Sequence, residues 1–216
     1  VLHALSRREA QGRLPQAWVL ELSSFQLETT STLDADAATL LNLSQDHLDR
    51  YDSMADYGAA KARIFAGTGV QVLNRDDPAS LDMAIPGRPV VLFGLDAPSR
   101  SEDYGLVTVE GRRWLVRGQH RLIEQGELPL AGLHNSANVM APLALGEAIG
   151  LPMAAMLEGL RGFRGLPHRV ELAGEWGGVR FYDDSKGTNV GSTVAALAGL
   201  AAGNRSEEHT SELQSH

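Results

Sequence analysis

The residues best suited to chemistry follow a short apolar run near the start of the chain. Residues 17–20 are continuously apolar, which is typical of a strand buried on both faces of a parallel sheet, and we predict a strand at 17–22. Because ligands of open α/β sheets bind beyond the carboxyl ends of strands, Glu21 would meet a ligand or metal ion there. Ser23 and Gln26 could reach a substrate from the following turn. A solvated glutamate at the end of a strand is the alternative.

A second apolar run, residues 37–43, predicts another buried strand, which would bring Asp46 and His47 to the same sheet edge. Together with Glu21 they form a candidate site for a divalent cation. Carboxylate oxygens and a neutral imidazole both ligate such ions, although Mg²⁺ prefers oxygen. A histidine with a purely structural role is the alternative.

The next segment predicts a helix that begins at Ser53, where Asp56 completes a capping-box-like start, and that ends at Gly67. Lys61 lies on the apolar face of this helix, and lysine is rarely buried unless it is paired. Its amine either reaches solvent along the stem or is aimed inward at a phosphate or metal. The apolar face comprises Met54, Tyr57, Ile64 and Phe65.

Two further polar stretches begin helices. Asn135 and Asn138 share a face at the positive end of a helix predicted to run to about residue 149, where anions are favoured, although capping could explain Asn135. Residues 183–189 end a strand and begin another helix, and such a unit suits nucleotide binding. Between the two stretches, Gly and Pro residues indicate a domain boundary near residue 165.

The composition restricts the functional class. The 216 residues carry a formal charge of −8, which argues against a general nucleic-acid binder because phosphate binding needs a basic surface. No stretch approaches the ~18 consecutive apolar residues of a membrane span. The absence of cysteine excludes a disulfide framework and thiolate metal sites. The opening residues show no secretory leader, and we expect a cytoplasmic protein.

Residues 21–30, Glu-Leu-Ser-Ser-Phe-Gln-Leu-Glu-Thr-Thr, resemble a signature of the Mur ligase family, in the branch that adds D-glutamate to UDP-N-acetylmuramoyl-L-alanine. Later stretches fit the same family, and the resemblance covers roughly residues 17 to 200. These stretches lie at residues 46–51, 59–61, 132–138, 167–169 and 184–189.

The resemblance implies an α/β fold, with a mostly parallel sheet flanked by helices. Residues 1–165 would form a central ATP-binding domain, truncated at its N-terminus, and residues 166–204 the start of a Rossmann-like C-terminal domain. Residues 205–216 look like translated sequencing adapter, and we exclude them from fold reasoning. The family also needs a Gly-x-x-x-x-Gly-Lys-Ser/Thr phosphate loop, which these residues lack and which we expect upstream of Val1.

The resemblance also assigns roles to single residues. Glu21 and His47 would bind magnesium at two sites, and Lys61 would be carbamylated and help to position the metal. Lys186 and Thr188 would act at the reacting end of the substrates, with Ser23 and Gln26 also binding substrate. The residues that would contact ATP are Asn135, Asn138, Arg169 and Asp184. Gly187 stands where the family pattern has Ala.

The implied activity is an ATP-dependent ligase of peptidoglycan synthesis that joins D-glutamate to UDP-N-acetylmuramoyl-L-alanine through an acyl phosphate. We expect a monomer without nucleic-acid or membrane partners, and a fragment that is inactive alone. The alternatives are another Mur ligase, a ligase like folylpolyglutamate synthase, and a non-catalytic nucleotide-binding module.

Overall fold

The computed structural model describes residues 2–130, 132–188 and 190–199. Residues 200–204 of the predicted second domain and the predicted adapter tail lie outside these ranges. The helices are α1 Leu2–Ala10, α2 Ser24–Thr29, α3 Met54–Ala62 with a 3₁₀ turn at Arg63–Phe65, α4 Pro78–Leu81, α5 Leu133–Ala148, α6 Met153–Gly162 and α7 Val190–Gly199, with a second 3₁₀ turn at Gln125–Glu127. The strands are β1 Ala37–Leu40, β2 Val70–Asn74, β3 Val90–Phe93, β4 Tyr104–Val109, β5 Arg112–Arg117, β6 His120–Glu124, β7 Glu171–Trp176 and β8 Val179–Asp183.

Strands β1, β2 and β3 form a parallel sheet in that order, which confirms the α/β prediction. Successive residues of β2 face opposite sides of the sheet, as the pleat requires. Val72 packs with Met140 and Leu143 of α5 on one side. Leu73 packs with Phe65 on the other side. The sheet therefore lies between helical layers, and its central strand is buried on both faces.

The carboxyl edge of this sheet is fastened by buried polar side chains. The Asn74 side-chain amide donates to the Leu41 carbonyl at 2.7 Å, and the Ser80 hydroxyl donates to the Leu40 carbonyl at 3.1 Å. Asp77 caps α4 and also accepts from the Leu43 amide at 2.6 Å. These bonds fix where the chain leaves β1, which is the start of the loop that carries His47.

Two antiparallel units complete the described fold. Strands β4, β5 and β6 form an antiparallel meander, and the buried Tyr104 hydroxyl donates to Glu147 of α5 at 2.7 Å. Strands β7 and β8 form a separate antiparallel hairpin, so a Rossmann-like second domain stays a prediction. Among the described helices, none combines the length and apolar character that crossing a bilayer requires.

The predicted strand at residues 17–22 is wrong. This segment has no regular structure, and Trp18, Val19 and Leu20 are exposed. A strand needs hydrogen-bond partners along an edge, and no strand within the described ranges pairs with it. Its continuous apolar composition therefore does not specify a strand by itself. The strand predicted at 37–43 is confirmed only over Ala37–Leu40.

Candidate functional site

Ser23 and Gln26, predicted to bind substrate, form a capping box at the start of α2. The Ser23 hydroxyl accepts from the Gln26 amide at 3.3 Å, and the Gln26 side-chain oxygen accepts from the Ser23 amide at 2.9 Å. The pair satisfies two amides that a helix N-terminus otherwise leaves unpaired. Both side chains therefore have a structural role in this molecule.

Helix α2 packs against α3 through an aromatic cluster, which we define as Phe25, His47, Tyr51 and Tyr57. Ring centroids are 5.0 Å apart for Phe25 and His47, 6.0 Å for His47 and Tyr57, and 5.2 Å for Tyr51 and Tyr57. Tyr51 and Tyr57 are buried, whereas His47 remains exposed on one side. The imidazole of His47 is thus packed between aromatic rings from two helices.

Lys61 also lies close to the Tyr57 ring. Its Nζ is 5.7 Å from the centroid of the Tyr57 ring, one helical turn earlier on α3, and the side chain is half-buried. Burial, followed by the negative charge of Asp46, raises the pKa of the Tyr57 hydroxyl. His47 and Lys61, predicted from separate motifs, therefore both lie against the Tyr57 ring.

The loop that carries His47 is held in an unusual backbone conformation. His47 has a φ of +54°, in the left-handed region that residues other than glycine rarely adopt. Its amide donates to the Asp46 carboxylate at 2.9 Å, and that carboxylate lies 3.8 Å from His47 Nδ1. The positive φ and the adjacent carboxylate direct the imidazole toward the aromatic cluster.

An ion pair connects α2 to the end of this loop. The Arg50 guanidinium donates to Glu28 at 2.5 Å, and its Cζ lies 4.8 Å from the Phe25 ring centroid. The hydrogen bond from Arg50 lowers the pKa of the Glu28 carboxyl. Arg63 adds bonds to the Leu27 and Thr30 carbonyls at 2.7 and 3.0 Å. The loop and two helices therefore form one assembly.

Glu21 precedes this assembly and is exposed. Its carboxylate makes no hydrogen bond or ion pair with residues 2–130, 132–188 or 190–199. The carboxylate is therefore available to a ligand, and its convergence with His47 and Lys61 stays a prediction.

The start of α5 carries the two asparagines predicted to contact ATP. Gly132 begins the helix at φ +98°, and no side chain caps its first turn. Asn135 is half-buried and Asn138 is exposed. Burial lowers the pKa of His134, and the charge of Asp184 opposes this shift, which places the helix start near the turn after β8. Pro142 lies inside α5.

The turn after β8 and the loop before β7 meet in a crossed-loop cluster, which we define as His168, Glu171, Asp183 and Asp184. His168 Nδ1 lies 2.7 Å from Asp183, and the His168 amide donates to Glu171 at 2.9 Å. The Val170 amide donates to Asp184 at 3.1 Å. These bonds place the exposed predicted residues Arg169, Lys186 and Thr188 on adjacent turns.

The crossed-loop cluster also contains a group with the composition of a metal site. Within the described part of the chain, one set of three His, Asp or Glu side chains has ligand atoms within 4.8 Å of one another: His168, Glu171 and Asp183. Each already forms a hydrogen bond within the cluster. An ion would have to replace the bond between His168 and Asp183, so the geometry favours a hydrogen-bonded network.

The Mur ligase middle domain matches residues 4–146. The chain belongs to the Mur ligase family. A UDP-N-acetylmuramoylalanine–D-glutamate ligase of Nitrosospira multiformis is 57% identical over 202 residues, which are 93% of this chain and 43% of that relative. The ligase of the same name from Thiobacillus denitrificans is 59% identical over 199 residues, 92% of this chain and 41% of that one. The chain thus spans about two fifths of the length of these relatives.

Solved Mur ligases share the fold. MurF from Acinetobacter baumannii superposes with a TM-score of 0.63 at 21% identity, over 77% of this chain and 38% of that one. UDP-N-acetylmuramate–alanine ligase MurC from Thermotoga maritima gives 0.59 at 23% identity, over 82% and 40%. At these identities the likeness concerns the fold alone.

Sequence reasoning about this Mur ligase missed the aromatic cluster and the bond between His168 and Asp183. The Ser-x-x-Gln spacing at 23–26 was an available signal for the capping box. The amino-acid composition gives a second signal. Lys61 and Lys186 are the only lysines in the sequence, and all the other side chains counted as Lys or Arg are arginines. Both belong to motifs singled out for chemistry.

Proposed function

We propose that this chain is the central part of a UDP-N-acetylmuramoylalanine–D-glutamate ligase, which joins the amine of D-glutamate to the substrate carboxylate after ATP activates it. The observation that carries the proposal is the identity above 50% to relatives of that name across more than nine tenths of the chain. The geometry supports it, because His47 and Lys61, which belong to two separate motifs, both lie against the Tyr57 ring.

The predicted ligands have the chemistry that a divalent cation needs. Glu21 and Asp46 offer carboxylate oxygens and His47 an imidazole, and Mg²⁺ prefers oxygen ligands. Glu21 and His47 would hold two ions, and a carbamylated Lys61 would supply a further oxygen pair. Bound Mg²⁺ would offset repulsion between the phosphates and the substrate carboxylate. Tyr57 positions both His47 and Lys61 for this role.

Asn135, Asn138, Arg169 and Asp184 would bind ATP between the start of α5 and the crossed-loop cluster. The N-cap of α5, Gly132, provides no side-chain cap, and the helix start presents the positive end of the helix dipole, which favours an anion. Lys186 and Thr188 would orient the reacting ends. Residues 1–165 and 166–204 would belong to separate domains of a cytoplasmic monomer.

A chimera tests the activity. Residues 4–199 replace the matching segment of the Nitrosospira multiformis ligase, and phosphate release is measured with Mg-ATP, UDP-N-acetylmuramoyl-L-alanine and D-glutamate. We expect release only when all three are present, and a loss of about 100-fold or more in Lys61→Ala. Arg113→Ala, an exposed site in β5, should leave the rate unchanged. Equal rates with L-glutamate, or none with either isomer, would refute the assignment.

The modification of Lys61 has a direct test, because arginine at position 61 keeps a positive charge but cannot form the lysine carbamate. In ¹³C-bicarbonate, a carbamate resonance should be present in the wild-type chimera and in Lys186→Arg, and absent in Lys61→Arg. A resonance that persists in Lys61→Arg would assign the carbamate elsewhere.

A further inference from the structure

Three hydrogen bonds cross between the loop before β7 and the turn after β8. His168 Nδ1 pairs with Asp183 at 2.7 Å, the Val170 amide donates to Asp184 at 3.1 Å, and the Lys186 amide donates to the His168 carbonyl at 3.1 Å. The bonds run in both directions, so neither loop can move without the other. Arg169 lies between two of these anchor residues.

The loop backbone is in a conformation that these contacts must maintain. His168 has a φ of +64° and Val170 a φ of +49°, and a β-branched residue is a genuine outlier in this region. Such conformations persist only where the surroundings impose them. Asp183 also accepts from the Ser185 amide at 3.0 Å. The Asp183 carboxylate therefore holds both the loop before β7 and the turn after β8.

We propose that His168 and Asp183 are positioning residues that lock the loop of Arg169 to the turn of Lys186, so that both cations face one nucleotide. This inference rests on the proposed function, since it takes the ligand to be Mg-ATP. Neither residue of the lock needs to touch that ligand. The bond acts through the orientation of Arg169 and through the backbone of Lys186.

The lock depends on an acceptor oxygen at position 183 rather than on charge alone. Asn at this position keeps an oxygen that can accept from His168 and from the Ser185 amide, whereas Ala removes it. The remaining charged and titratable groups that face the lock stay in place in both variants. They are Glu171 on β7, Asp184, Arg169 and Lys186 on the loops, and His134 on α5.

The first measurement is amide hydrogen exchange in the 216-residue chain. Asp183→Ala and His168→Ala should each speed exchange at the Val170 and Lys186 amides by about tenfold, which is the loss expected when a bond to a charged group is removed. Asp183→Asn should retain most of the protection. Glu175→Ala, an exposed acid on the same hairpin, is the matched control and should change nothing.

The second measurement is calorimetric binding of Mg-ATP to the ligase chimera. Asp183→Ala should weaken binding by about tenfold, Asp183→Asn by less than threefold, and the double variant with His168→Ala no more than either single one. Wild-type affinity in Asp183→Ala, or equal losses in Ala and Asn, would overturn the lock. A chimera that binds Mg-ATP with this pattern but releases no phosphate would refute the proposed function and support the lock.

Discussion

The aromatic cluster and the crossed-loop cluster each bring together predicted residues from distant motifs, but by different physical means. In the aromatic cluster, rings from α2, α3 and the intervening loop pack against one another, with Tyr51 and Tyr57 buried. In the crossed-loop cluster, the residues are exposed or half-buried, and hydrogen bonds between loops fix them. The aromatic cluster depends on the packing of side-chain volume, and the crossed-loop cluster depends on hydrogen-bond donors and acceptors.

This difference determines what each cluster contributes to the molecule. Packed rings cannot be removed without a cavity, so the aromatic cluster should contribute to the free energy of unfolding as well as to the position of His47. Exposed hydrogen bonds add little to global stability, but they define local geometry and respond to ionisation. Substitutions in the aromatic cluster should therefore change the free energy of unfolding, whereas substitutions in the crossed-loop cluster should mainly change the local geometry of the loops.

The largest effect should follow from Tyr57→Ala. The side chain is 6% exposed and contacts both His47 and Lys61. Its truncation leaves a cavity, and we expect a loss of about 2–4 kcal/mol in the free energy of unfolding, measured by urea denaturation of the 216-residue chain. Tyr57→Phe keeps the ring and should cost less than about 1 kcal/mol. Equal stabilities for Ala and Phe would show that the cluster is not packed as described.

A smaller effect should follow from Ser23→Ala. The substitution removes the acceptor of the capping box and should lower the free energy of unfolding by about 1 kcal/mol, whereas Ser23→Thr keeps an acceptor hydroxyl and should retain most of it. The same pair of variants separates two roles. If Ser23 binds substrate as well, Ser23→Thr in the chimera should raise the KM for the UDP substrate while leaving stability intact.

Much of the fold follows from sequence because local signals agree with it. The Ser53 cap, the break at Gly67 and the parallel strand at Ala37–Leu40 match their patterns. The strand at 17–22 fails because pairing depends on a neighbouring chain segment, which composition does not encode. The same dependence explains why β1 is shorter than its apolar run.

The site was only partly predictable, for a related reason. Single motifs identify Lys61 and His47 as candidates, but the ring that joins them is Tyr57, whose importance depends on the packing of α2 against α3. Spacing indicated that Lys61 and Tyr57 share a helix face. No local pattern indicates that His168 would meet Asp183, since their contact requires the β7–β8 register.

Acid should protonate Asp183 in the crossed-loop cluster only at unusually low pH. The hydrogen bond from His168, with help from Ser185, lowers the pKa of the Asp183 carboxyl from 3.8 to about 2. A lowered pKa means that this carboxylate stabilises the fold fully above about pH 4 and loses that contribution as pH falls through about 2. Carboxyl ¹³C shifts should give a midpoint near 2, which moves up in His168→Ala. An unchanged midpoint in that variant would remove His168 as the cause.

The smallest effect should follow from Gly187→Ala, and it tests how tightly the crossed-loop cluster is fitted. A Cβ at this position would lie 2.6 Å from Asp184 Oδ2 and 3.1 Å from the Asp184 carbonyl oxygen. The carboxylate is the end of a side chain and can rotate, so we expect a change within about 1 kcal/mol in the free energy of unfolding. The rotation should lengthen the bond from the Val170 amide and speed its exchange.

Because the bond between His168 and Asp183 does not involve Asp184, exchange at the Lys186 amide should stay near that of the wild type. If both amides lose protection together, the cluster behaves as one rigid unit, and the separate roles given to Asp183 and Asp184 are wrong.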